Sequence, residues 1–318
     1  ASSLGIYRWF RKESWLPGLA LLAAAHLYGL GALAYWHGRE QGAETCRVGV
    51  VQGNLGYRPR DVPHESFANR AAQAMWDQTR RLLEENPGVD LVVWPEASVP
   101  ASCYKHVPAW LMGLATLQVP ILFEDVEDHY NIARYRPPGG PEQIYRKNIL
   151  MPFGEFLPVP IPGLPYTPGL RAARERVLFH TVVGDVMPLI CYEALPPDYS
   201  RRFDRDTGRR ARLIVNLCAD GYFDSAMQCR QSFALSALRP VELRVPMIRA
   251  NNAGISAYID TLGRVHDPIP AYRSDNRVYS VRLPERRLTL FGLWGMWPYW
   301  AYLSAMLGLV AWSFRSSR

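Results

Sequence analysis

Glu96, Lys147 and Cys191 each close a short apolar run. Val92-Val93-Trp94-Pro95 precedes the glutamate, Ile144-Tyr145-Arg146 the lysine, and Met187-Pro188-Leu189-Ile190 the cysteine. A thiol beside a carboxylate and an amine is a nucleophile set. Only the thiolate attacks well, so the thiol proton needs an acceptor, and a carboxylate can be one. An ammonium stabilises the negative charge that builds on a carbonyl oxygen under attack. Taken singly, each residue has a plainer reading: an inert buried thiol, a turn or cap glutamate, a solvated edge lysine. What they share is position, since α/β proteins place their sites at strand ends.

The elements that must position them alternate. Strand-like runs occur at Arg47–Gln52, Val89–Trp94, Val119–Phe123 and Leu213–Leu217. Helical spacing covers Glu65–Glu85, stopped by Asn86-Pro87-Gly88, as well as Pro108–Leu117 and Ala226–Leu243. Ile132–Tyr135 and Gln143–Tyr145 flank Pro137-Pro138-Gly139-Gly140 and predict a hairpin. Val177–Val183 and Val186–Cys191 form a second pair around Gly184-Asp185, and Val245–Arg249 and Ile255–Ile259 are expected to finish the sheets. The pattern predicts an α/β fold without internal repeat. Prolines 152, 158, 160, 162, 165 and 168 rule out regular helix or ladder over Pro152–Pro168. That stretch is expected to be a surface loop of the length that lids use.

The 318 residues are 48% hydrophobic and 20% charged, too apolar for a disordered chain. Charge is unevenly spread: none lies between Glu13 and Arg39, and none between Arg287 and Arg315. About 20 apolar residues cross a bilayer core. The first stretch therefore predicts a span over Trp15–Trp36, with Trp15, Tyr35 and Trp36 at its ends, and the second a span over Leu290–Trp312, richer in aromatics. A cleaved signal peptide is the rival for the first. Its apolar run is long for that role, and Tyr35-Trp36-His37 is a poor cleavage site. Domain boundaries follow: 1–42 for an N-terminus and span, 43–285 for a globular domain, and 286–318 for a second span and tail. Arg8, Arg11 and Lys12 before the first span, with Arg315 and Arg318 after the second, place both termini in the cytoplasm. The middle domain then faces outward, in a bacterium into the periplasm. A net charge of +7 suits a body lying against anionic headgroups. No basic helix or stacking platform points to nucleic acid. The five cysteines show no CxxC or Cys/His cluster for a metal, and being odd in number they leave a free thiol in an oxidising compartment. Cys218 and Cys229 are candidates to pair, with connectivity left open.

Trp94-Pro95-Glu96, Tyr145-Arg146-Lys147 with Pro152-Phe153-Gly154-Glu155, and Ile190-Cys191-Tyr192-Glu193 together resemble the three signature blocks of the nitrilase (carbon–nitrogen hydrolase) superfamily. Their closest likeness is to its membrane branch, the apolipoprotein N-acyltransferases. Gln52-Gly53-Asn54 and Asn251-Asn252-Ala253-Gly254-Ile255-Ser256 extend the resemblance over about Arg47 to Val281. The resemblance implies a four-layer αββα sandwich flanked by transmembrane helices. It implies Glu96 as general base, Lys147 as the oxyanion-stabilising amine and Cys191 as nucleophile. Glu155 would hold Lys147, and Tyr192 and Glu193 would shape the pocket behind the cysteine. It needs no cofactor. The implied reaction passes an acyl chain from a phospholipid, through a thioester on Cys191, to the N-terminal amine of a lipoprotein or another amine acceptor, at the bacterial inner membrane. Additional membrane subunits are possible partners. Tyr57, Trp110, Phe156 and Tyr222 are candidates to line the lipid and substrate side. Arg239, Glu242 and Arg249 are expected to form structural ion pairs.

The chain also departs from the pattern. The branch usually carries several more transmembrane helices ahead of this domain, so the chain is expected to be a fragment or a shortened relative. Its Ser-Asn-Asp-Ala-Trp-Phe block stands here as Cys218-Ala219-Asp220-Gly221-Tyr222-Phe223, and its Gln-His pair as Gln231-Ser232. These changes leave the acceptor open. Two rivals remain: a membrane-tethered amidase or nitrilase-type hydrolase, and a non-enzymatic component of an envelope or conjugation apparatus that keeps the fold.

Overall fold

A computed structural model of the chain describes residues 16–55, 64–98, 116–159, 169–223 and 225–316. The chain divides into two units, 1–43 and 44–318. The described part of the first is one helix, α1 (Leu16–Gln41). It runs five residues beyond the predicted span, and among the described residues it contains the one segment, Gly18–Gln41, long and apolar enough to cross a membrane. Its leucines stand exposed along its length.

The second unit opens with β1 (Glu44–Gln52), α2 (His64–Glu85) and β2 (Leu91–Val93). β3 (Ile121–Glu127), β4 (Tyr130–Arg136) and β5 (Gln143–Arg146) follow, then β6 (Phe179–Thr181) and β7 (Gly184–Ile190). After two short helices, α3 (Pro197–Ser200) and α4 (Phe203–Thr207), come β8 (Leu213–Cys218), α5 (Ala226–Ser236) and α6 (Leu238–Leu243). β9 (Met247–Asn251), β10 (Ser256–Ile259), β11 (Val265–Ile269) and β12 (Asp275–Leu283) complete the sheets. Helices α7 (Leu290–Trp294) and α8 (Trp297–Ser316) end the described chain.

The twelve strands form two six-stranded sheets, ordered β12-β1-β2-β3-β4-β5 and β11-β10-β9-β8-β7-β6. Three parallel strands lie inside each, β1-β2-β3 and β7-β8-β9, with antiparallel neighbours outside them. Alternation along each strand explains the layers. Val48, Val50, Leu91 and Val93 of the first sheet join Val186, Ile190, Val215 and Ile248 of the second in one core between the sheets. Val51, Val92, Ile121 and Phe123 point the other way and pack with Ala72, Met75 and Leu82 of α2. Gly49 also lies under that helix: a Cβ there would stand 2.8 Å from Leu82 Cδ2, closer than packed atoms come. On the far side, Ser232 of α5 accepts from Arg249 Nη2 of β9 at 2.8 Å, so a helix covers the outer face of the second sheet. The order is helix, sheet, sheet, helix.

Several expectations change. The sheets do not end at Ile259; β11 and β12 follow, and β12 pairs with β1 across nine residues. Val119–Phe123 becomes the longer β3. Ala226–Leu243 is two helices, because Pro240 has no N–H to bond the Ser236 carbonyl and its ring crowds that turn. The second predicted span is likewise broken. α7 stops at Gly295, where φ is +57°, and α8 restarts at Trp297. Among the described residues α8 does not join α1 as a helix long and apolar enough to span. The predicted helix at Pro108–Leu117 lies outside the described residues as far as position 115, and so do positions 160–168 of the loop expected over Pro152–Pro168.

Candidate active site

Glu96 follows β2, the middle strand of the first sheet's parallel trio. Three contacts fix its turn. Trp94 Nε1 donates to Thr79 Oγ1 of α2 at 2.9 Å, Ser98 Oγ donates to the Pro95 carbonyl at 2.6 Å, and the Ala97 N–H donates to Glu124 Oε2 at 2.9 Å. Ala97 itself lies in the left-handed region at φ +57°. Lys147 follows β5, and its N–H donates to the Asn131 carbonyl of β4 at 2.8 Å, so the pairing carries past the strand end. Cys191 follows β7 with φ +49°. It opens the 3₁₀ turn Cys191–Ala194. A non-glycine residue in that region stores of order 1–3 kcal/mol of strain, and such strain clusters at functional sites.

These three strand ends meet. Lys147 is buried, with Nζ 2.8 Å from Glu155 Oε1 and 3.5 Å from Glu96 Oε1. Asn131 Nδ2 donates to Glu96 Oε1 at 2.9 Å and to Glu155 Oε1 at 3.3 Å, bridging the two carboxylates. The other Glu155 oxygen accepts the Met151 N–H at 2.7 Å inside a tight turn. Glu96 Oε2 is buried and has no hydrogen-bond partner. The Cys191 thiol lies beside this carboxyl and acts on it.

The charges balance through burial. Burial raises the Glu96 carboxyl above its ordinary range, with Lys147 and the Asn131 hydrogen bond pulling it back. Burial pulls the Lys147 ammonium down, but Glu96, Cys191 and Glu155 outweigh it and keep it charged. The Cys191 thiol is held well above its ordinary range, first by the Cys218 thiol beside it and then by burial and Glu96, while Lys147 favours the thiolate. Burial and its neighbours thus favour a neutral thiol at Cys191 and an ammonium at Lys147. The site is arranged to take the thiol proton only when charge is to be moved.

Glu193 acts on the backbone. Its Oε1 accepts Tyr145 Oη at 2.7 Å, the Asn148 N–H at 2.6 Å and the Ile149 N–H at 3.1 Å, and its Oε2 accepts the Ile190 N–H at 2.9 Å. One carboxylate therefore ties the segment after Lys147 to the residue before Cys191. Of the expected substrate-side residues, Tyr57, Trp110 and the Tyr222 side chain lie outside the described residues. Phe156 is half-buried in the Glu155 turn, its carbonyl accepting the Phe153 N–H at 2.7 Å. Arg239 pairs with Glu242 at 2.9 Å, whereas Arg249 pairs with Asp220 at 2.8 Å. Cys218 and Cys229 do not meet. Cys218 donates to Asn216 Oδ1 at 3.1 Å and Cys229 lies 3.8 Å from Tyr272 Oη. Asn131, Glu124 and Asn216 escape a reading of the sequence, because polar residues within strands look like solvent-facing positions there. Among the described residues no group of three His, Cys, Asp or Glu side chains is arranged to hold a metal ion.

The carbon–nitrogen hydrolase family model matches residues 47–275. A protein of Geobacter metallireducens named apolipoprotein N-acyltransferase is 30% identical over 290 residues, 84% of this chain and 53% of that protein. One of the same name from Bdellovibrio bacteriovorus is 26% identical, over 98% of this chain and 64% of that protein. The chain thus spans about half to two thirds of the length of these relatives. A solved carbon–nitrogen hydrolase from Helicobacter pylori shares the fold. Its TM-score is 0.58 at 14% identity, over 76% of this chain and 90% of that one.

Proposed function

The chain belongs to the carbon–nitrogen hydrolase family, and from that premise we propose that it is a membrane-anchored N-acyltransferase with Cys191 as nucleophile. The observation that carries the reading is the buried Lys147 ammonium, held between Glu155 and Glu96 with the Cys191 thiol at its side. In the first half-reaction Glu96 takes the thiol proton on its unpartnered oxygen. The sulfur attacks the ester carbonyl carbon of a phospholipid. Negative charge passes to the carbonyl oxygen, which the Lys147 ammonium stabilises, with the Tyr192 N–H of the turn as second donor. The ester C–O bond then breaks, the lysophospholipid leaves with the proton from Glu96, and the acyl chain stays on sulfur as a thioester.

In the second half-reaction an amine attacks that thioester, and Glu96 takes the amine proton. The C–S bond breaks and Cys191 regains its hydrogen from Glu96. Glu155 holds Lys147 in place, and Glu193 fixes the two segments that carry Lys147 and Cys191. The names of the relatives favour the N-terminal amine of an apolipoprotein as acceptor. The exposed apolar face of α1, with the aromatic-rich α8, favours a bacterial inner-membrane setting with the domain in the periplasm.

The test incubates the full chain in detergent with acyl-labelled phosphatidylethanolamine, with and without a peptide whose N-terminal cysteine carries diacylglycerol. Label on the peptide amine, and little free fatty acid without peptide, is the expected result. Rapid release of fatty acid regardless of peptide makes the protein a hydrolase. No turnover with either, together with a Cys191→Ala variant as competent as wild type in the cell, leaves only a scaffold.

A further inference from the structure

Cys191 has a second thiol beside it. β7 and β8 run parallel with Ile190 opposite Leu217. Cys191 leaves the end of β7 from the extended Ile190 and opens the 3₁₀ turn, beside Cys218, the last residue of β8, and its carbonyl accepts Asn216 Nδ2 of β8 at 3.5 Å. Such strands run about 4.8 Å apart, within the range of about 4.4–6.8 Å between Cα atoms that disulfides span. The Cys218 thiol is close enough to act directly on that of Cys191. Both are free thiols, as are Cys46 and Cys229. Cys46 lies on β1, and Cys229 lies against Tyr272. Cys218 is 1% exposed, whereas Cys191 is half-buried, so a reagent from outside meets Cys191 first. Asn216 Oδ1 takes both the Cys218 thiol and Arg249 Nη1, so a fixed cation stands one hydrogen bond beyond that thiol. The acyl-transfer steps make no use of Cys218.

We propose that Cys191 and Cys218 form a site of reversible oxidative modification, with Cys218 as the resolving thiol. Glu96 takes the Cys191 thiol proton, the thiolate sulfur takes one oxygen from a hydroperoxide and becomes a sulfenic acid with that proton returned, and the peroxide leaves as alcohol or water. The Cys218 sulfur then attacks that sulfur. A sulfur–sulfur bond forms, the S–O bond breaks, and the hydroxyl leaves as water with the Cys218 proton. In sum two thiols become one disulfide and the peroxide is reduced. The disulfide blocks the nucleophile and keeps it from the irreversible sulfinic and sulfonic forms. A small dithiol returns both thiols by exchange. The proposal needs a reactive Cys191 but not acyl transfer, and sulfur mapping reads it whether or not transfer occurs.

The test treats the full chain in detergent with stoichiometric hydrogen peroxide, alkylates the remaining thiols, and maps peptides by mass spectrometry. A linked pair of peptides holding Cys191 and Cys218, lighter by two hydrogens and separated by dithiothreitol, is the expected result. In the Cys218→Ser variant the same dose should raise sulfinic and sulfonic Cys191 several-fold. Should that variant fail to fold, the wild-type map decides alone. Cys218 still alkylated while Cys191 is over-oxidised, or Cys191 linked to Cys103 or to another chain, overturns the proposal.

Discussion

At the level of single residues, the reaction depends on one buried ammonium, Lys147, beside Glu96 and Glu155. Lys147→Ala should lower the rate of Cys191 acylation by about 10²–10³, as loss of an oxyanion donor does. Single-turnover labelling checks it, and an unchanged rate removes Lys147 from the reaction. Glu96 must be a carboxylate to take a proton, and burial raises it. The acid limb of kcat/KM should therefore lie above about pH 4.3, the ordinary glutamate value. Asn131 donates to the charged form of Glu96, so Asn131→Ala should move that limb to still higher pH. A limb that stays or falls contradicts the assignment. Glu96, Lys147 and Cys191 were legible because each ends an apolar run. Asn131 was not: its burial comes from the two carboxylates it bridges, and those lie 35 and 24 residues away in the chain.

At the element scale, Gly49 sets how closely α2 lies on the first sheet. Gly49→Ala should cost about 1–3 kcal/mol by overpacking against Leu82. Leu82→Ala opens a void and should cost about 2–5 kcal/mol. Because one fills the space the other vacates, the double variant should be more stable than the sum of the two losses predicts. Urea midpoints measure this, and strict additivity would mean that the two positions do not press on each other. The β4–β5 hairpin could be read from the sequence because Pro137 to Gly140 allows little else. Pro240 signals the break in Ala226–Leu243, but the apolar spacing around it continues on both sides. In β12, Tyr279, Val281 and Leu283 alternate with exposed Ser280 and Arg282, a strand pattern obscured by the charged Asp275 and Arg277 ahead of it and Arg282 within it.

At the scale of the whole molecule, both sheets share one plan: three parallel strands with antiparallel neighbours outside. Glu96 follows the middle strand of one trio, and Cys191 follows the first strand of the other. No repeat in the sequence announces this, because the two halves share backbone pairing and not residues. The apolar surface of α1 predicts that the expressed chain stays with membranes through alkaline carbonate washing, and that deleting residues 16–41 weakens this retention. Recovery of the intact chain in the wash contradicts a spanning α1. Because α8 is aromatic-rich and α7 breaks before it, partial retention after that deletion would assign it an interfacial role.

The most direct measurement of the central claim is the intact mass of the chain after incubation with phospholipid and no amine, quenched in acid. One added acyl chain is expected on the Cys191 peptide, released by neutral hydroxylamine and absent from Cys191→Ser. An acyl group on any other residue, or none on a folded wild-type chain, would contradict it.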